Sequence, residues 1–330
     1  MMKTRSIVFR QHGPPPAVAH LETRELPSPG PGEVLVEMLF APIHPADLNT
    51  IEGTYARKPN LENGAVPGGE GLGRITELGS AVENFEPGQA VLIPSGVGAW
   101  SEACLVPADR LVPAPPGVAP EQAAMLRVNP ATAFRMLADF EALQPGDWVL
   151  QNAANSAVGR EVIQIARHRG LKTLNVVRRP ELADELRAIG ADAVLLEGED
   201  LASQIPAACG GAPLRLALNA VGGESALRLA QALAPGGTLV TYGAMARQPM
   251  RIPNGLLIFQ DLRWRGFWMT RWYEQARPDA VAAMFAELFE MARQGALWTP
   301  VEQVFPLELI EPALIRAAEG RRSGKILLRP

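Results

Sequence analysis

The chain has 330 residues and only two cysteines, Cys104 and Cys209, far apart in sequence. That excludes a disulfide framework and a lobe of clustered cysteine metal ligands, and it fits a reducing compartment. It also lacks a surplus of charge of either sign: 31 Lys and Arg stand against 35 Asp and Glu, a net charge of −4. A nucleic-acid binder would carry a basic domain or stripe, so no nucleic-acid partner is expected. No apolar run approaches the roughly 20 residues that cross a bilayer, so no membrane role is expected either. The opening residues Met1 to Phe9 run straight into a strand-like segment, without an apolar or Arg/Ser-rich leader. This predicts a cytoplasmic protein. What remains is ordinary globular composition, 47% hydrophobic and 20% charged, enough for a large core and about two domains.

The first third reads as short strands broken by turns. Residues 33–38 follow the pairs Pro29-Gly30 and Pro31-Gly32, and residues 90–93 follow Pro87-Gly88. Gly68, Gly69, Gly71 and Gly73 crowd around Glu70, which marks bends and close backbone approaches. The pattern changes near Pro120. Residues 121–143 carry a helical periodicity. Strands at 148–151, 173–177, 193–196, 214–219 and 237–242 then alternate with helices at 158–169 and 180–189. Alternation of this kind predicts a parallel sheet with helices on both faces. Residues 270–293 read as helical, and 325–328 as a strand returning to the first domain. The chain therefore divides into a β-rich domain of residues 1–122 and 271–330 and an α/β domain of residues 123–270.

The strand at 148–151 leads into Asn152-Ala153-Ala154-Asn155-Ser156-Ala157-Val158-Gly159 and then a helix. Strand, small-residue turn and helix make the dinucleotide-binding arrangement, in which free N–H groups and a partial positive charge face a pyrophosphate. The strict G-x-G-x-x-G pattern is absent, and the turn alone would suit any parallel sheet. The next strand ends in Arg178-Arg179, with no acid before Glu181. An acid at that place would hold the ribose 2′-hydroxyl of NAD; an Arg suits the 2′-phosphate of NADP.

Several runs together resemble the medium-chain dehydrogenase/reductase superfamily, and within it the mitochondrial-type trans-2-enoyl-thioester reductases. They are Gly53-Thr54-Tyr55, residues 128–137, 143–159, 174–178, 216–223, 236–249 and 257–268. The resemblance implies a GroES-like β-rich catalytic domain beside a Rossmann domain (overall α/β), with NADPH as cofactor. It implies Tyr55 as the catalytic tyrosine. It implies cofactor contacts from Asn129, from Asn155, Ser156, Ala157 and Val158, and from Arg178 and Arg179. Further contacts would come from Tyr242, Gly243, Ala244 and Met245, from Phe267, Trp268 and Met269, and from Lys325. Departures fall at Ala154, Ala157 and Arg127, and an Ala157 methyl would crowd the approach to the pyrophosphate. Zinc-dependent relatives use a Cys near position 43–47 and a His-Glu pair where this chain has Gly69-Glu70. His44 alone cannot supply the three protein ligands of a catalytic zinc, so no metal is expected.

The implied reaction sends hydride to the β-carbon of an enoyl thioester and a proton to the α-carbon, with Tyr55 as donor. Free tyrosine has a pKa near 10 and is protonated at neutral pH. The aromatic and basic run 262–272 reads either as a strand with alternating faces or as an acyl-pocket wall beside arginines that meet phosphopantetheine or an acidic acyl-carrier protein. Two other readings stay open: a quinone reductase of the same superfamily, which would not need Tyr55, and an NADPH-binding protein without turnover. The family's dimers pair sheet edges, and residues 256–268 are apolar and aromatic, so a homodimer is expected.

Overall fold

The computed structural model describes all 330 residues. They form two compact units, residues 1–128 with 298–330, and residues 129–297. Strands are numbered in chain order.

The first unit opens with an antiparallel hairpin of β1 (Met2–Phe9) and β2 (Ala19–Leu26). Its main sheet has seven strands: β3 (Glu33–Pro42), β4 (Gly71–Leu78), β5 (Ala90–Ile93), β6 (Ala103–Pro107), β7 (Val112–Pro113), β14 (Val301–Pro306) and β15 (Lys325–Arg329). The order is β14-β15-β3-β4-β5-β7, with β6 paired to β3. The long β3 is the spine, because different stretches of it pair with β4, β6 and β15. Alternating residues such as Val34 and Val36 on β3, with Ile75, Val91, Ile93 and Trp100, fill one core. The C-terminal strand joins this sheet beside β3, as the sequence predicts.

The second unit holds six parallel strands: β8 (Trp148–Gln151), β9 (Lys172–Val177), β10 (Ala193–Leu196), β11 (Leu216–Asn219), β12 (Thr238–Thr241) and β13 (Arg263–Gly266). Their order is β10-β9-β8-β11-β12-β13. Strand order reverses between β8 and β11, which makes the crevice at their carboxyl ends the expected ligand position of such a sheet. Leu150, Leu174, Val176, Ala217, Leu229 and Leu239 form its core.

Two expectations need correction. The units part at 128/129 and 297/298 rather than at 122/123 and 270/271. The helices Met269–Gln275 and Pro278–Arg293 belong with the parallel sheet because they pack on the helix Asn129–Asp139. Arg135 lies 4.5 Å over the Trp272 ring, and Tyr273 stacks on Phe285. The run 262–272 is also not one strand. Only Arg263–Gly266 is extended, and a helix begins at Met269.

Candidate active site

In the second unit, the predicted cofactor residues converge on the carboxyl ends of the parallel strands. Residues 152–156 follow β8, Arg178 and Arg179 follow β9, Tyr242 to Met245 follow β12, and Phe267 to Met269 follow β13. Asn129 is buried and begins its helix, with Pro130 as the second residue. Proline is tolerated there because the first helical N–H groups have no partner to lose.

Ser156 caps the helix Ala157–His168: its Oγ accepts from Gly159 N at 3.2 Å. The remaining first-turn N–H groups, among them those of Ala157 and Val158, lack intrahelical acceptors and suit an anion. Gly159 is the tight point, since a Cβ there would stand 2.6 Å from the Ala154 carbonyl oxygen and 2.7 Å from its Cα. Ala153 adopts φ = +48°, a left-handed conformation that costs a non-glycine residue energy. Buried amides hold it there. Asn152 Nδ2 donates to Asn219 Oδ1 at 2.9 Å and Ser225 Oγ at 3.0 Å, while its Oδ1 accepts from Ala220 N at 2.8 Å. Gln151 Nε2 donates to Gly159 O at 2.9 Å and Asn175 Oδ1 at 2.7 Å. That Gln151, Asn152, Asn175 and Asn219 brace the turn is not stated by any motif. Their signal was there: amides inside or ending strands that are otherwise apolar.

Arg178 is exposed at the end of β9 and has no ion pair, whereas Arg179 pairs with Glu181 at 3.5 Å. Of the two, Arg178 is the one available to a phosphate. Tyr242 N donates to Asn219 O, and Met245 N to Ala220 O, both at 3.0 Å, so this segment is laid along the chain that follows β11. The Tyr242 hydroxyl is enclosed beside Ser156, and burial pushes its pKa up, which keeps it a neutral phenol. Phe267 meets Phe140 edge to face at 5.9 Å, and the Met269 side chain is buried.

In the first unit, Tyr55 follows the helix Pro45–Glu52. Gly53 ends that helix at φ = +78°, and the N–H groups of Thr54 and Tyr55 both reach Asn49 O, at 2.9 and 3.1 Å. This is a left-handed helix stop whose carbonyl is satisfied by the residues beyond it. Tyr55 is half-buried.

The same unit brings together the buried ionisable residues His44, Asp47, Glu70 and Lys325. Lys325 Nζ donates to Ile43 O at 2.7 Å and approaches His44 Nδ1 at 3.3 Å. An ammonium has only donors, so Nδ1 accepts and the Nε2 proton is given to Glu70 Oε1 at 2.7 Å. Glu70 Oε2 accepts from the N–H groups of Arg127 and Val128 at 2.9 and 2.8 Å. Asp47 accepts from His44 N at 2.8 Å; burial raises its pKa, and that backbone hydrogen bond opposes the rise. Both ring nitrogens of His44 are thus engaged by protein groups. Cys104 is buried and its thiol is pushed up to about 12, so it offers no thiolate.

A β-rich unit with a returning terminal strand and a parallel sheet of this order define the class of the medium-chain dehydrogenases and reductases. The alcohol dehydrogenase GroES-like domain matches residues 30–116, and the zinc-binding dehydrogenase family matches residues 157–287. The rat mitochondrial enoyl-[acyl-carrier-protein] reductase is 44% identical over 94% of this chain and 84% of its own length. The human one is 42% identical over 99% and 88%. The chain belongs to this family of enoyl reductases. Among solved structures, the Etr1p complex with NADP and crotonyl-CoA has a TM-score of 0.90 at 27% identity, covering both chains fully. A putative NADPH:quinone reductase from Bacillus thuringiensis reaches 0.93 at 27% identity, again with full coverage. The expected cytoplasmic location is overturned by the relatives, which are mitochondrial proteins. A compartment is addressed by segments outside the fold, and composition carries no such address.

Proposed function

We propose that the protein uses NADPH to reduce the carbon–carbon double bond of trans-2-enoyl thioesters, with Tyr55 as proton donor. The observation that carries this reading is a tyrosine fixed at a helix end in a chain whose relatives, over nearly its whole length, are enoyl reductases.

The residues fit the cofactor. The capped helix start offers N–H groups to a pyrophosphate, Gly159 leaves the loop its close packing, and Arg178 stands free for a 2′-phosphate. Asn155 to Val158, Arg178, the Tyr242 to Met245 segment and the Phe267 to Met269 segment would hold it, with Asn129 at the head of its helix. Bound NADPH supplies the hydride that the β-carbon receives. Charge then gathers on the thioester oxygen, and the α-carbon takes its proton from the Tyr55 hydroxyl. A phenol is a competent acid toward an enolate. No metal is required by this scheme. Gly69 stands where a histidine ligand would be needed, and His44 is occupied by Glu70 and Lys325.

The substrate carrier is an acyl-carrier protein or coenzyme A. The protein acts as a homodimer joined along β13, one edge of the six-stranded sheet, next to the helix Asn254–Ile258 whose end leaves Ile258 and Phe259 70% and 84% exposed. The likeness to a quinone reductase structure supports a second reading, in which quinones are the acceptors. Following NADPH absorbance with crotonyl thioester, octenoyl thioester and a quinone side by side decides between them. Rapid oxidation with the thioesters is the expected result; turnover with the quinone alone would overturn the first reading.

A further inference from the structure

The chain has four histidines, and His12 is unaccounted for by the residues above. It lies just past β1, whose last residue Phe9 is buried and pinned to Ala65 by backbone hydrogen bonds of 3.0 and 2.9 Å in both directions. The Phe9 and His12 rings are 6.1 Å apart. From this anchored base His12 reaches the end of the helix that precedes Tyr55. Its Nδ1 is 3.2 Å from the Ile51 carbonyl oxygen, which also accepts from Gly13 N at 3.2 Å. A carbonyl oxygen can only accept, so Nδ1 carries the proton. The ring covers Gly53 so closely that a Cβ at that position would lie 2.7 Å from His12 Cγ. Gly53 is the left-handed stop from which the chain turns to Thr54 and Tyr55.

We propose that His12 is a positioning residue for the proton transfer: its ring and Nδ1–H hold the final helical turn and Gly53, and so fix where the Tyr55 hydroxyl stands. This rests on Tyr55 being the donor. The ring adds a contact from the end of β1 to a turn whose backbone hydrogen bonds are local: Gly53 N reaches Asn49 O and Thr50 O, and the N–H groups of Thr54 and Tyr55 reach Asn49 O. Turns near the surface closed by local backbone bonds open more readily than core elements, so a contact from a different element can set where the turn stands. Small misplacement of a reacting group can cost about 100-fold in rate.

The test is a double-mutant cycle on the full-length protein with crotonyl-coenzyme A, with NADPH affinity read separately by fluorescence titration. His12→Leu keeps bulk and removes the donor. It should lower kcat by about 10- to 100-fold with NADPH affinity unchanged. In a Tyr55→Phe background, the same change should have little further effect, because there is no hydroxyl left to position. His12→Asn, which keeps a side-chain N–H, should recover much of the rate. Gly53→Ala, which forces the ring aside, should reproduce the loss and the same dependence on Tyr55. Losses that multiply in the double variant, or a His12→Leu enzyme at full rate while Tyr55→Phe is slow, would overturn the brace alone. A fully active Tyr55→Phe enzyme would overturn the donor assignment, and the brace with it.

Discussion

The turn at residues 152–156 and the turn at residues 53–55 each place atoms assigned to the proposed reaction at a helix end, and they are secured by different means. The first starts a helix and is fixed by buried side-chain amides whose partners lie as far as 67 and 73 residues away in sequence. The second ends a helix; its backbone N–H groups reach carbonyls of that helix's own last turn, and a histidine ring is laid across it. The chemistry asked of each explains the contrast. An anion site must have its N–H groups aimed before the ligand arrives, so that binding requires no reorganisation. A buried amide network gives that rigidity because each unmade bond in it is costly. A proton donor needs only one hydroxyl in the right place, and a turn closed by local backbone bonds can be tuned by a single neighbour.

That contrast is sharpened most by Tyr55→Phe. It keeps the ring and removes only the hydroxyl. Enoyl-thioester turnover should fall by about 10²–10⁴-fold, the usual contribution of a general acid. NADPH affinity should hold, since the loop that presents the anion site is untouched, and any quinone reduction should be spared because a quinone takes protons from solvent. Steady-state rates with both acceptors check this. Arg178→Asp addresses the other side. Losing charge-assisted hydrogen bonds to a phosphate should weaken NADPH by about 10- to 100-fold and leave NADH nearly unchanged. Equal losses for the two cofactors would remove Arg178 from the 2′-phosphate.

The sequence made these two regions legible to different depths. The parallel sheet announces itself by apolar runs between turn signals, and the strands Trp148–Gln151 and Ala193–Leu196 fall where the pattern puts them. The cofactor turn is readable because strand, small residues and helix follow each other locally. The break between the helices Pro120–Ala123 and Asn129–Asp139 escaped a periodicity reading, although Asn129-Pro130 is a helix-start signal in its own right. The place where the chain leaves the parallel-sheet unit was not legible. Helices 269–275 and 278–293 are assigned by what they pack against, and Arg135 with Trp272 is a contact that no local pattern states. The brace on Gly53 is hidden for the same reason, because His12 reaches it from a different element.

Gly159→Ala tests how tightly the cofactor turn is built. The added methyl would meet Ala154 backbone at 2.6 and 2.7 Å, and backbone cannot step aside as a side-chain tip can. The expected outcome is a loss of about 1–3 kcal/mol of stability, the range of overpacked cores, with weaker NADPH binding alongside. Denaturant unfolding followed with and without NADPH measures both. An unaffected variant would mean that the turn is looser than its amide network implies.

The smallest expected effect is also the most direct test of that network. Ala153 sits at φ = +48°, and left-handed backbone costs an L-residue about 1–2 kcal/mol. Such a conformation persists only where the surroundings over-determine it. Here Ala154 N on Val176 O and Asn152 on Asn219 fix the residues on either side, and Ala153 O accepts from Ser156 N at 2.9 Å. Ala153→Gly relieves the strain but adds about 0.5–1 kcal/mol of unfolded-chain freedom. The two oppose, and the strain term is the larger, so a gain of about 0.5 kcal/mol is expected, visible as a shifted denaturant midpoint with an unchanged slope. NADPH affinity should stay the same, because the amides and not the alanine define the turn. If the variant instead loses stability or cofactor affinity, the turn depends on Ala153 itself. It would then depend on its own local backbone, as the turn that carries Tyr55 does, and the contrast between the two regions would fail.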